Sequence, residues 1–117
     1  MRYFDASALA KRYLSEEGSA AVTERLEQPA ATSRLSAVEV ASALVRRSRE
    51  NHYSEEDRDR ALQALARDLE DMLVVELSAD VAALAARLLV NRHVRSSDAI
   101  HLASCLTLGA DLGADIP

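Results

Sequence analysis

The sequence predicts an α/β sandwich built on a short parallel sheet. Three observations predict it. Short strand-like runs alternate with stretches of helical periodicity, and strands separated by helices pair in parallel. The chain has 117 residues, the size of one domain with a single core. A hydrophobic fraction of 49% beside a charged fraction of 28% marks a globular chain. Only three Gly and two Pro occur, and neither type clusters. No linker, low-complexity stretch or repeat divides the chain, so residues 1–117 read as one domain.

The elements follow in order. Met1 to Phe4 reads as a short strand. A helix follows from Ser7 to about Leu14, and Gly18 ends it. Ser19 caps a second short helix to about Gln28, and Pro29 stops it. Ala30 to Thr32 reads as a second strand, although Ala is a poor strand former. Ser36 caps a longer helix to about Arg49, with Leu35, Val38, Ser42 and Val45 as its stripe and Glu39 and Arg46 beside it. Ser54 with Asp57 resembles a capping box, and the helix behind it carries Leu62, Leu65, Leu69 and Met72 on one face. Leu73 to Leu77 is the clearest strand. Ser78 caps a helix rich in Ala and Leu that ends near Arg92. Ser96 or Ser97 caps the most apolar helix; Gly109 ends it, and Ala110 to Leu112 lead into a last strand.

Composition narrows the function. Aromatics are 3% and Trp is absent, so Ala, Leu and Val build the core. A single cysteine, Cys105, excludes an internal disulfide framework and fits a reducing cytoplasm. No apolar run approaches the ~20 residues that cross a bilayer. Asp5, Lys11 and Arg12 break any signal-peptide pattern, so the expectation is a cytoplasmic protein without membrane contact. The net charge of −5 is not that of a strongly basic nucleic-acid binder. Its positive charges are grouped, however: Arg46, Arg47 and Arg49 in one place, Arg92, His93 and Arg95 in another, each able to touch phosphate locally.

Three acids stand out. Asp5 closes the first strand, Glu39 interrupts a helical stripe, and Asp98 sits in the first turn of the most apolar helix. Each has an ordinary reading by itself. Asp5 or Ser7 caps a helix. Glu39 pairs with Arg46 or another arginine. Asp98 answers a helix dipole. His101, one turn on, reads as a ligand, a base or a packed residue bonded to backbone, and Cys105 as core. In combination they point elsewhere. Charges are seldom set against a core without a partner, and acids of one sign cannot partner each other. Carboxylates ~4 Å apart repel by roughly 1–4 kcal/mol and need a cation or a proton between them. An all-oxygen set suits Mg²⁺ or Mn²⁺ rather than Zn²⁺. No Ser-His-Asp order, Walker loop, Gly-rich fingerprint or zinc spacing competes.

The segments Tyr3-Phe-Asp-Ala-Ser-Ala-Leu9, Thr32-Ser-Arg-Leu-Ser-Ala-Val-Glu-Val40, Ser97-Asp-Ala-Ile-His-Leu-Ala103 and Leu108-Gly-Ala-Asp-Leu112 resemble, in order and spacing, a PIN-domain ribonuclease of the VapC toxin type. The resemblance covers nearly the whole chain. It implies a PIN-like α/β/α fold around a short parallel sheet and Mg²⁺- or Mn²⁺-dependent endoribonuclease activity on structured RNA, transfer or ribosomal. It implies a homodimer and a cognate antitoxin whose tail enters the active-site groove. It places Asp5, Glu39 and Asp98 on the family's acidic positions and Ser7 on its accompanying hydroxyl. The departure is at the end. Only Gly-Ala-Asp-Ile-Pro117 follows Leu112, which implies a truncated last strand and leaves Asp115 as the candidate fourth acid.

The expectation is thus a toxin endoribonuclease with Asp5, Glu39, Asp98 and Ser7 at its centre, metal held by Asp5, Glu39, Asp98 and Asp115, and Arg46 and Arg95 on phosphate. The rivals are a PIN-like module that binds RNA or an antitoxin without cleavage, a phosphotransfer domain with Asp5 as nucleophile, and a helical interaction protein. The phosphotransfer reading lacks the usual later lysine, since Lys11 is the only one in the chain.

Overall fold

The computed structural model describes residues 1–14, 29–50 and 53–112. Its elements are β1 (Arg2–Phe4), α1 (Ala6–Ala10), β2 (Ala30–Ser33), α2 (Arg34–Arg49), α3 (Glu55–Glu70), β3 (Leu73–Val75), α4 (Ala79–Asn91) and α5 (Ser96–Leu112). The strands form one parallel sheet in the order β1-β2-β3, with Tyr3 beside Ala31 and Thr32 beside Val74. This is the predicted α/β class. The expected second helix at Ser19–Gln28 and the residue Asp115 lie outside the described residues.

Side chains alternate across a strand, so β1 serves two layers. Phe4 points into a core with Leu9, Tyr13, Leu14, Val40, Leu44, Ala61 and Leu65, between the sheet and α1, α2 and α3. Tyr3 points the other way and meets His101 of α5. Val75 packs on that second side with Val81, Ala85, Ala99 and Ala103, where α4 and α5 lie close together. Small alanines at the α4–α5 contact let the two backbones approach, which compensates for the scarcity of aromatics.

Helix starts follow the capping hydroxyls. Ser54 Oγ accepts the Asp57 N–H and Ser78 Oγ accepts the Val81 N–H, as read from sequence. α2 differs. It begins at Arg34 with Ser33 as its cap, because the helix leaves β2 without a loop. Ser36, expected as the cap, is buried one turn in: Thr32 Oγ1 lies 2.7 Å from Ser36 Oγ and 2.6 Å from the Phe4 carbonyl. The buried face of α2 is therefore Ser36, Val40 and Leu44. The expected stripe of Leu35, Val38, Ser42 and Val45 is displaced, since Val38 is 67% exposed. α1 is shorter than expected and passes into turns through Leu14.

At the other end the helix wins over the strand. α5 starts at Ser96 itself and runs through Gly109 to Leu112, where a stop and a last strand were expected. A single Gly costs a helix ~1 kcal/mol, which a helix packed through Ala99, Ala103 and Leu108 tolerates. β3 stops at Val75, two residues short of the expected end. Among the described residues no helix is long and apolar enough to cross a membrane.

Candidate active site

Parallel strands send their carboxyl ends to one edge of the sheet, and ligand sites lie beyond that edge. Asp5 follows the last residue of β1 there. α2 springs directly from β2 at the same edge and carries Glu39 on its second turn. Asp98 stands in the first turn of α5. The three acids come from distant parts of the chain and line one small pocket of about 170 Å³, together with Ser7, Ser97, Arg95 and His101.

That pocket is the middle of a longer groove. On one side a hollow of about 410 Å³ shares Asp5, Asp98 and His101 and is walled by Tyr3, Leu102 and Cys105. On the other a groove of about 620 Å³ shares Ser7, Glu39 and Arg95 and continues over Val38, Ser42 and Arg46. Cys105, expected in the core, is half-buried in the wall of the first hollow. Burial raises its thiol pKa, which favours the protonated form.

Each acid is held differently. Asp5 is the cap of α1: its Oδ1 accepts the Ala8 N–H at 2.8 Å. Glu39 does not pair with Arg46. Its Oε1 lies 2.8 Å from His101 Nε2. Asp98 has no hydrogen-bond or ion-pair partner among the described residues. Both Asp5 and Glu39 thus have one oxygen fixed by the fold, and a carboxylate has lone pairs on the other. Among the described residues no three His, Cys, Asp or Glu side chains gather tightly enough to hold one ion. The acids share a pocket without forming a closed cage. The donor set is all oxygen, from carboxylates and the Ser7 and Ser97 hydroxyls, and in chemistry that fits Mg²⁺ or Mn²⁺.

His101 is buried as expected but bonded to side chains, not backbone. Its Nδ1 faces the Tyr3 hydroxyl at 2.9 Å, and its ring meets the Tyr3 ring edge-on. Burial holds the Tyr3 phenol well above its ordinary pKa, so it keeps its proton. Tyr3 is the site residue that sequence reasoning missed. The signal was present: with Phe4 in the core, period two sends Tyr3 to the opposite face.

Comparison with known proteins agrees with this architecture. A PIN domain matches residues 2–112. The ribonucleases VapC45 of Mycobacterium tuberculosis (strain CDC 1551 / Oshkosh) and VapC49 of Mycobacterium tuberculosis (strain ATCC 25618 / H37Rv) are each 36% identical over 113 residues, covering 92% of this chain and 76% of theirs. In fold, the crystal structure of Mycobacterium tuberculosis VapC20, described as a sarcin–ricin-loop-cleaving toxin, superposes with a TM-score of 0.70 at 19% identity, over 97% of this chain and 85% of that one. A toxin–antitoxin complex from Klebsiella pneumoniae gives 0.64 at 20% identity, over 99% and 83%. The family match spans nearly the whole chain, and the chain belongs to the PIN-domain family, with VapC ribonucleases among its relatives.

Proposed function

We propose that this protein is a metal-dependent endoribonuclease and the toxin of a type II toxin–antitoxin pair. One observation carries the reading: Asp5, Glu39 and Asp98, from three separate elements, border a single pocket at the carboxyl edge of the sheet. The substrate is a structured RNA, transfer or ribosomal, and the reaction is phosphodiester hydrolysis. The partners are a cognate antitoxin and a second copy of the chain, in the cytoplasm. These assignments rest on the VapC relatives at 36% identity, which are ribonucleases by name.

Asp5, Glu39 and Asp98 supply the anionic oxygens that hold Mg²⁺ or Mn²⁺, with Asp115 as a fourth. When bound, such an ion lowers the pKa of an attacking water and neutralises charge growing on the phosphate. Ser7, exposed in the first turn of α1, lines the pocket and orients the site. Arg95 borders both the acid pocket and the larger groove, and Arg46 lies farther along that groove. Neither arginine has an ion-pair partner among the described residues, which leaves both to phosphates flanking the one that is cut.

RNA cleavage with Mg²⁺ or Mn²⁺ tests this across wild type, Asp5→Asn and wild type with EDTA. Wild type cuts, and the other two lose roughly 100-fold or more, the scale of a few kcal/mol of charge stabilisation. Equal cleavage in all three ends the reading. The alternative is a PIN module that binds RNA or antitoxin without cutting, and the open arrangement of the acids favours it. Thermal stabilisation by Mn²⁺ separates the two, because a site without a working ligand set gives no metal-dependent rise in Tm.

A further inference from the structure

The pair formed by His101 and Tyr3 has no part in the chemistry described so far, yet it is the most completely hydrogen-bonded cluster at the site. We propose that His101 is a positioning residue for Glu39, locked in one tautomer by Tyr3, and that it sets the affinity of the site for its divalent cation. The proposal rests on the reading of Glu39 as a metal ligand.

The argument is one of donors and acceptors. An ionised carboxylate only accepts, so at 2.8 Å from Glu39 Oε1 the His101 Nε2 carries the proton. The other ring nitrogen is 2.9 Å from the Tyr3 hydroxyl. With the proton on Nε2, a neutral ring leaves Nδ1 as the acceptor of the Tyr3 O–H, so Nε2–H is the tautomer the two contacts select. The chain of bonds runs Tyr3 O–H to His101 Nδ1, then His101 Nε2–H to Glu39 Oε1. Its far end is anchored in β1 and its middle in α5, while Glu39 rides on α2, so the contact ties three elements at the pocket.

Exposure supports the direction of the effect. The His101 side chain is 10% exposed and that of Glu39 32%. The imidazole is fixed by packing, and the longer acid reaches out from it. A Glu has three rotatable bonds, and fixing one oxygen leaves the second available in a narrow range of directions. Residues that orient metal ligands typically change metal affinity or activity 10–100-fold when replaced. A buried histidine that merely filled space would not.

The test measures Mn²⁺ binding to the full chain without RNA, by electron paramagnetic resonance of free Mn²⁺, for wild type, Glu39→Gln, His101→Ala, His101→Gln, His101→Asn and Tyr3→Phe. Wild type binds, and Glu39→Gln loses about 10-fold or more. His101→Ala weakens binding roughly 10–100-fold. His101→Gln recovers part of that loss, because its amide N–H₂ reaches the place of Nε2. His101→Asn, whose shorter amide stops near Nδ1, does not. Tyr3→Phe shows a smaller loss than His101→Ala.

Wild type and Glu39→Gln that bind equally, or a wild type that does not bind at all, overturn the metal reading of Glu39 and this inference with it. A normal loss in Glu39→Gln with unchanged binding in the His101 variants overturns the inference alone. Should the variants fold poorly, nitrogen NMR of the wild-type histidine decides. A protonated Nε2 is expected, and a His101 protonated at Nδ1 only sinks the proposal.

Discussion

One oxygen of Asp5 accepts the Ala8 N–H, and the residue also lines the pocket it shares with Glu39 and Asp98. Capping one N–H leaves the second oxygen with its lone pairs, so the cap does not compete with the proposed metal role of Asp5. The two roles respond differently to substitution. Asn caps about as well as Asp, whereas Ala forfeits about 0.5–2 kcal/mol at such a position. Asp5→Asn is expected to keep its urea midpoint while losing cleavage, and Asp5→Ala to lose both. The tyrosines carry a second prediction. Tyr3 and Tyr13 are both held above the ordinary phenol pKa, in each case mainly by burial. The folded state then binds the phenolic proton more tightly than the unfolded one. Their contribution to stability is complete below the unfolded value of about 10 and is lost as pH rises through the folded value. Urea unfolding in alkaline buffers is expected to show a declining midpoint above about pH 10, and a shallower decline in Tyr3→Phe.

At the scale of elements, α2 shows how a capping hydroxyl is chosen. Thr32, Ser33 and Ser36 all qualify by type, and residue preference alone does not rank them. β2 ends at Ser33, so the helix starts there and Ser36 turns inward. The buried face shifts with it. Leu44 is completely buried, while Val38 stands at the groove and is exposed. Leu44→Ala is expected to cost about 2–5 kcal/mol in equilibrium unfolding. Val38→Ser is expected to change stability by less than about 0.5 kcal/mol, as a surface position does. The face of α3 was legible in the sequence: Leu62, Leu65 and Leu69 pack on the first core, and Met72, expected on the same helix, packs there from just beyond its end. It was legible because that helix is plainly amphipathic. α2 has Ser and Ala on both sides of its stripe, so its period was ambiguous. α5 was misjudged at Gly109 for a related reason, since the breaker rules weigh a residue and not the packing that holds its helix.

At the scale of the whole molecule, with its net charge of −5, three acids and two arginines line adjoining pockets at one sheet edge. The acids occupy the middle of a groove, and Arg95 and Arg46 stand along one side of it. On the proposed function RNA binding is local, and its salt dependence counts the local contacts. Replacing Arg46 or Arg95 by Gln is expected to flatten the plot of log binding constant against log salt by roughly 0.7 per arginine on single-stranded RNA. Slopes unchanged in both variants place the phosphates elsewhere. The sequence by itself determined the alternation of strand and helix and the parallel class, and it singled out three acids that share one pocket, because each is written in local periodicity and residue chemistry. Only the tertiary structure decided that Asp5 also caps its helix, that Glu39 leans on His101 rather than Arg46, and that Tyr3 stands behind that histidine. Those contacts span as many as 98 positions along the chain. They depend on which faces of α2, α5 and β1 meet, and no local pattern encodes that.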